Sequence, residues 1–364
     1  MTVRETGACT LLLISMLFGE VDQGPDLILK SAHYQECSFY EDELECVLKD
    51  NVIFHYDSAV IRSELAKWWK GRGEVILHKN VEVTQDEQII TCDRVHFKQK
   101  QDVLIAEGDV VFVDHDEGIR ITGNRCTYDL ASRFCVLEGQ PHFFRYDTAA
   151  AETLTIVGRK MLYNDSLQKT TVINDVVVTK GALRSICDTA FYFSEKDLAL
   201  MRVDPEMIYE EHVLDGDSVD IFFKGDTIEG MSVVGKGHGI YFDKAKLDTT
   251  ITHVWGDSIY MALSDSGYMD SVWIIGSVES KYYQVADSTR PNNVTGKHMI
   301  LDFGEKSRID NARLWGNAES VYYLDEEQNS GRNEASGDTL SVWFEDGKAV
   351  RLRLLGGVRG AYFP

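Results

Sequence analysis

The sequence has few of the residues that separate or link domains. It contains five Pro among 364 residues and no low-complexity tract, so no linker between domains is apparent. Its apolar fraction of 44% and charged fraction of 26% are close to the globular average, which argues against long disorder. At this length the chain can bury a large core, in two ordinary domains or in one elongated array.

Positive charge is also scarce. The chain has 37 Lys and Arg against 59 Asp and Glu, a formal net charge of −22. This balance argues against nucleic acid as a partner, because phosphates attract basic faces. It also argues against docking on anionic lipid headgroups through overall charge alone.

Known catalytic and metal motifs are missing. There is no H-E-x-x-H, G-x-S-x-G, P-loop, dinucleotide fingerprint or C-x-x-C in the sequence. The acidic run from Asp114 to Glu117 has cation-ligating residue types, but charged hairpin turns look the same. The sequence therefore predicts no enzyme, no cofactor, no catalytic residues and no metal site.

A single sustained apolar run lies near the N-terminus, from Ala8 to Gly19. Its twelve residues are fewer than the ~20 that a membrane-spanning helix needs. The run follows Arg4 and precedes an acidic stretch with Gly and Pro, as in a secretory signal. We therefore expect residues 1–24 to be a signal peptide and the rest to be exported; a buried N-terminal helix is the alternative.

Two pairs of Cys share one spacing. Cys37 and Cys46, and likewise Cys126 and Cys135, are separated by eight residues around a polar turn. If each pair flanks a symmetric hairpin, the two side chains face each other across the strands. Disulfides would suit an oxidising compartment, whereas small buried thiols are the alternative.

A repeat runs along the chain. Its clearest copies are GDSVDIFF from Gly216, GDSIYMAL from Gly256, GKHMILDF from Gly296 and GDTLSVWF from Gly337, spaced by 40 or 41 residues. Shorter copies begin at Ser63, Cys92, Gly123, Gly158 and Cys187, and a doubtful one begins at Ser31. This gives nine or ten copies. Such a repeat indicates an array of stacked units rather than one closed domain.

Within each copy the apolar positions alternate. Val219, Ile221 and Phe223 are apolar, and Ser218 and Asp220 between them are polar. A period of two is typical of strands with one apolar face, and turn residues separate the copies. We expect an all-β chain whose units stack about 4.8 Å apart, so that equivalent apolar residues form one internal stripe. The intervening Asp and Ser residues are expected to face water.

Several stretches resemble a known family. LKDNVIFHYD (48–57), LHKNVEVTQDEQIITCDRVHF (77–97) and IAEGDVVFVDHDEGIRITGNRCTYD (105–129) are similar to the OstA-like family. That family includes LptA, LptC and the periplasmic part of LptD, which transport lipopolysaccharide in Gram-negative bacteria. The resemblance extends over residues 25–364 as one continuous array. It implies an elongated open β-jellyroll, or β-solenoid trough, of about nine or ten stacked repeats.

The resemblance also implies a function and partners. The expected protein is periplasmic, with possible outer-membrane association, and binds lipopolysaccharide or a related glycolipid. It would stack edge to edge with other Lpt-type β-jellyroll proteins, or with copies of itself, as part of a bridge. The chain is longer than simple LptA-like proteins and ends at Pro364, leaving no room for an LptD-type barrel, so its station in the pathway stays open.

The internal stripe is the expected binding site for the acyl chains of lipid A. Each acyl CH₂ removed from water contributes about 0.8 kcal/mol, so a long apolar groove can hold several chains. The predicted lining consists of Val95, Phe97, Tyr128, Met161, Tyr163, Tyr192, Val219, Ile221, Phe223, Ile259, Met261, Leu263, Met299, Leu301, Phe303, Leu340, Val342 and Phe344.

Three other interpretations fit the pattern. The first is a structural or adhesive β-solenoid with a closed core and no lipid cargo. The second is a glycan-active β-solenoid with catalytic acids on an outer face. The third is a small outer-membrane barrel, which the charged turns on both sides fit poorly.

Overall fold

The computed structural model describes residues 25–364 except 41–42, 146–152, 226, 245–248, 285–286, 305–306, 327–328 and 346–347. The expected signal peptide, residues 1–24, lies outside the described residues. The described part is built from strands, with three single-turn 3₁₀ helices at Gln99–Gln101, Asp165–Leu167 and Ser194–Lys196. The prediction of an all-β fold is confirmed.

All strand pairings in the described chain are antiparallel, and each strand pairs with a strand one to three places away in sequence order. The strands are β1 (Ile28–Ser31), β2 (Tyr34–Tyr40), β3 (Glu43–Tyr56), β4 (Ala59–Trp69), β5 (Glu74–Gln85), β6 (Gln88–Lys98), β7 (Val103–Asp114), β8 (Ile119–Asp129), β9 (Phe134–Glu138), β10 (His142–Arg145), β11 (Leu154–Val157), β12 (Lys160–Asn164), β13 (Lys169–Lys180), β14 (Leu183–Phe193), β15 (Leu198–Arg202), β16 (Glu206–Tyr209), β17 (His212–Asp215), β18 (Ser218–Lys224), β19 (Thr227–Lys244), β20 (Thr249–Leu263), β21 (Met269–Gln284), β22 (Asp287–Phe303), β23 (Ile309–Glu326), β24 (Asn329–Glu345), β25 (Lys348–Leu355) and β26 (Arg359–Phe363).

Each long strand bends in the middle, where its pairing register shifts. In β5, for example, residues 74–78 pair with 94–98 of β6, and residues 81–85 pair with 88–92 after the shift between His78 and Val81. The halves on one side of the bends form sheet 1, which includes 74–78, 94–98, 258–263 and 298–303. The other halves form sheet 2, which includes 81–85, 110–114, 237–244 and 278–284. Aromatic contacts such as Phe54 with Trp68, at 5.4 Å, show that the sheets face each other.

The bends follow two sequence rules. One line of corners uses residues with positive φ, which only glycine and a few polar residues adopt readily. It recurs ten times in the described part of the chain, at 50–51, 79–80, 108–109, 139–140, 174–175, 203–204, 235–236, 276–277, 316–317 and 356–357.

The other line of corners is the repeated dipeptide recognised in the sequence. A side chain at Gly256 would place its Cβ 2.5 Å from Ile274 Cγ2, and the carboxylate that follows the glycine in each Gly-Asp corner packs on a neighbouring corner. For example, Asp217 follows Gly216, and its Oδ2 atom would lie 2.5 Å from a Cβ at Gly235, a residue of the first line of corners. Glycine is therefore needed because the chains approach closely there. At 216–217, 256–257 and 337–338 the Gly-Asp dipeptide marks where the chain passes from one sheet to the other.

Hairpin turns of both sheets lie at the ends of the strand halves opposite the corners. The turns of sheet 1 form one row and those of sheet 2 form another, and we call the region between the two rows the mouth. The corners thus form a closed apex and the turns form the mouth of a two-layered, elongated β-jellyroll. The predicted fold class is confirmed.

Candidate functional site

The predicted stripe lies between the two sheets. Fifteen of the eighteen predicted lining residues are buried, and Phe303, Val342 and Phe344 are half-buried and pack on the same core. These residues occupy every second position of their strands and therefore face the same side, toward the space between the sheets. Lipid contact by these residues stays a prediction.

Tyrosine hydroxyls bridge the mouth. Tyr163 Oη, from sheet 1, donates to Asp114 Oδ2 of sheet 2 at 3.0 Å. Tyr128 Oη donates to the side chain of Gln88 at 2.7 Å. Tyr241 Oη, from sheet 2, donates to the carbonyl oxygen of Ser307 in a sheet 1 turn at 2.7 Å. These bonds tie one row of turns to the other.

Three more tyrosines occupy equivalent positions. Tyr56 bonds to Asp102, Tyr192 accepts from the Arg145 guanidinium and Tyr209 donates to the carbonyl oxygen of Gly267. We call the six the mouth tyrosines: Tyr56, Tyr128, Tyr163, Tyr192, Tyr209 and Tyr241. They extend along the described array, and the sequence analysis placed three of them in the lipid lining without assigning a role to their hydroxyls.

Two of the mouth tyrosines, Tyr163 and Tyr192, have pKa values raised by burial. Burial raises the pKa of Tyr192 to about 12, an effect the adjacent Arg145 partly offsets. Burial, followed by the nearby Asp114, raises the pKa of Tyr163 further above its ordinary value. Tyr163 and Tyr192 are therefore neutral at physiological pH, and Tyr163 has the proton that its bond to Asp114 requires.

Asp114 is the charged group closest to the core. Its side chain is 3% exposed, and it also accepts from Gln88 Nε2 at 2.9 Å and from the Glu117 amide at 3.2 Å. A buried carboxyl group therefore lies at the mouth. No group of metal-ligating side chains occurs among the residues that the structure describes.

The interior changes along the array. Before residue 215 the inner face of sheet 2 carries large apolar side chains such as Phe112, Ile121 and Phe143. From residue 237 onward six of its buried inner positions are small or polar, namely Gly237, Gly239, Thr252, Ser280, Ala318 and Ser320, and its buried apolar side chains include Val254 and Val278. Sheet 1 opposite them keeps its buried Met and Leu side chains. The two sheets therefore contribute less side-chain volume to the interior of the C-terminal half.

A cavity of about 440 Å³ lies against the last three strands of sheet 2, apart from the predicted lining. It is formed by Glu319, Ser320, Val321, Glu334, Ala335, Ser336, Arg359, Gly360 and Ala361. Its walls are short side chains flanked by charged ones.

The two cysteine pairs differ. Cys37 and Cys46 lie directly opposite each other in β2 and β3 and form a disulfide. Cys126 pairs with Leu137 and Cys135 with Tyr128, so these two cysteines are diagonal neighbours. They are free buried thiols, with Sγ atoms 2.8 Å apart. The turn after β8 sets a register two residues away from the symmetric one.

Comparison with known proteins supports a family relationship for part of the chain. Residues 60–169 match the family model described as LptA/(LptD N-terminal domain) LPS transport protein. The OstA-like resemblance is confirmed here. The matched family is a lipopolysaccharide transport family, and the matched segment carries two of the six mouth tyrosines, Tyr128 and Tyr163.

Two further comparisons were made. No curated protein matches the chain. A solved structure, LptH, described as the LptA homologous periplasmic component of the lipopolysaccharide transport device from Pseudomonas aeruginosa, matches with 16% identity and a TM-score of 0.30. The match covers 32% of this chain and 82% of that one. No helix in the described residues is long and apolar enough to cross a bilayer.

Proposed function

We propose that this OstA-like protein is a periplasmic carrier of lipopolysaccharide, holding the acyl chains of lipid A between its two sheets. The observation that supports this most is the single hydrophobic core between the two sheets of an array whose residues 60–169 match a lipopolysaccharide transport family. The eighteen predicted lining residues form the sheet 1 wall of this interior.

The C-terminal half is the best place for the acyl chains. Sheet 1 contributes the flexible thioethers of Met231, Met261 and Met299 there, which adapt to irregular partners. Sheet 2 contributes small side chains, including Ser280 and Ser320, each with a few per cent of its surface exposed. Hydrocarbon chains could lie where the side chains of the protein fill less of the space between the sheets.

Lipid entry requires the mouth to open. The phosphates and sugars of the glycolipid would stay outside, since burying them unpaired is costly. An acyl chain entering from the side must break one or more mouth-tyrosine bonds, each with a net value of about 1 kcal/mol. Several CH₂ groups at about 0.8 kcal/mol each offset that cost. The bonds would close again after the lipid has passed.

Edge-to-edge stacking is the second part of the proposal. The last strands, β25 and β26, each pair with β24 on one side. Their other edges present backbone groups that a further strand can pair with. Val350 and Leu352 near this edge are about half exposed, which a stacked neighbour would cover.

Substitutions that place a large side chain in the interior test whether lipopolysaccharide is held there. We expect Ser280→Phe and Ser320→Phe each to reduce the lipopolysaccharide that purified protein retains after gel filtration. Ser266→Phe, in an exposed turn of sheet 1, is the matched control and should retain the wild-type amount. Circular dichroism would verify that all three variants are folded. Folded filling variants that retain full lipid would contradict the proposal and favour a structural β-solenoid with a closed core.

A further inference from the structure

The outer face of sheet 1 in the C-terminal half has an unusual composition. Cross-strand pairing aligns three rows of outward residues over six strands, β20 to β25. We call these eighteen positions the outer panel: Ser258, Tyr260, Ala262, Ser271, Trp273, Ile275, His298, Ile300, Asp302, Asn311, Arg313, Trp315, Thr339, Ser341, Trp343, Arg351, Arg353 and Leu355.

The outer panel is aromatic and basic. It has four Trp or Tyr and three Arg, and Asp302 is its one acidic member. Trp273 is 41% exposed and Ile275 is 47% exposed, although outward positions were expected to carry polar residues. The panel therefore has a local positive charge in a chain whose net charge is −22.

The same face of the N-terminal half looks different. There, Arg94 and Arg125 both form salt bridges with Glu107, at 2.7 and 3.1 Å. In the outer panel, Arg351 lies over the ring of Trp343, with its guanidinium 4.9 Å from the centroid. Among the described residues, no salt bridge involves Arg313, Arg351 or Arg353. Their charge is available to an external anion.

We propose that the outer panel docks on the surface of a bilayer containing anionic lipids. Trp and Tyr are enriched at membrane interfaces, where ring and polar group lie at headgroup level, and Arg adds attraction to anionic headgroups. The panel is an open sheet face rather than a groove. A second copy is disfavoured as the occupant, because a symmetric contact would bring Arg313, Arg351 and Arg353 against their own equivalents.

This inference goes beyond the carrier function and can fail separately from it. Bilayer docking would hold sheet 1 against the membrane while its opposite face, with Met261 behind Tyr260, forms the interior. The overall negative charge does not prevent docking, because charges more than about 8 Å away are largely screened at physiological salt.

Vesicle co-sedimentation tests the docking. The probe is a vesicle of phosphatidylcholine with 30% phosphatidylglycerol, compared with phosphatidylcholine alone, so no lipopolysaccharide is present. The wild-type chain should sediment with the anionic vesicles and be released by added salt. Each Arg near the surface contributes about fivefold, so R313Q/R351Q/R353Q should weaken partitioning about 100-fold.

A matched variant controls for overall charge. R62Q/R94Q/R125Q removes the same number of charges from the other half of the array and should bind as the wild type does. Trp273→Ser should also weaken binding, and Leu167→Ser, at a residue 63% exposed outside the panel, should not. Equal binding to neutral vesicles, equal loss in both triple variants, or no vesicle binding by the wild type would overturn the proposal. In the last case an acidic protein surface becomes the better occupant.

Discussion

Removing one mouth-tyrosine hydroxyl should loosen the two sheets locally. Tyr163→Phe keeps the ring among Phe112 and its neighbours, at 5.3 Å between centroids, and deletes the donor to Asp114. Hydrogen bonds to charged groups contribute about 1.5–3 kcal/mol. Asp114 retains donors from Gln88 and the Glu117 amide, so we expect a cost near 2 kcal/mol.

Hydrogen exchange measures this cost where it arises. Arrays of repeats open unit by unit, so a single global unfolding transition is a poor reporter. A loss of about 2 kcal/mol should speed exchange of the protected amides of β7 and β12 about 30-fold. Tyr268→Phe, at a tyrosine 43% exposed in a turn, is the control and should leave the exchange unchanged. Equal exchange in both variants would refute the idea that Tyr163 holds the mouth closed.

Three further predictions concern tyrosine and cysteine side chains. Because the pKa of Tyr192 is raised to about 12, the stability it contributes should be complete below pH 10 and be lost as pH rises toward 12, measured by tyrosinate absorbance alongside circular dichroism. Burial raises the pKa of Cys92 to about 12 and of Cys187 to about 11, so neither should react with a thiol reagent at pH 8 until denaturant is added; fast native labelling would contradict their burial. Reducing the Cys37–Cys46 disulfide should cost about 2–3 kcal/mol in the hairpin of β2 and β3, seen as faster local exchange, with unchanged exchange in β20 and β21 as the internal control.

The alternation of apolar and polar residues along each strand predicted which residues face inward. Val219, Ile221 and Leu301 are buried as the period of two requires. The positions of the C-terminal repeats could also be predicted, because a side chain at Gly216, Gly256 or Gly296 would come within 3 Å of a neighbouring strand at the corner. Local sequence rules determine both features, so a single chain was enough to find them.

Features that depend on which residues meet across strands or sheets could not be predicted from the sequence. The contact between Tyr163 and Asp114 joins residues 49 positions apart and depends on how the two sheets face each other. Cys126 and Cys135 have the same spacing as the disulfide-bonded pair, but a different turn register makes them diagonal. The outer panel was missed because Tyr260, Trp273 and Ile300 are each isolated in the sequence and become one surface only through pairing.

Photo-crosslinking in cells tests the central claim most directly. A photoreactive amino acid at Met261, which is 4% exposed on the inner face of sheet 1, should form adducts with lipopolysaccharide. The same replacement at Asp220, which faces outward from the sheet 1 strand β18, two strands away, should form none. Adducts at Asp220 alone, or at neither position in a folded protein, would contradict the account that the acyl chains lie between the sheets.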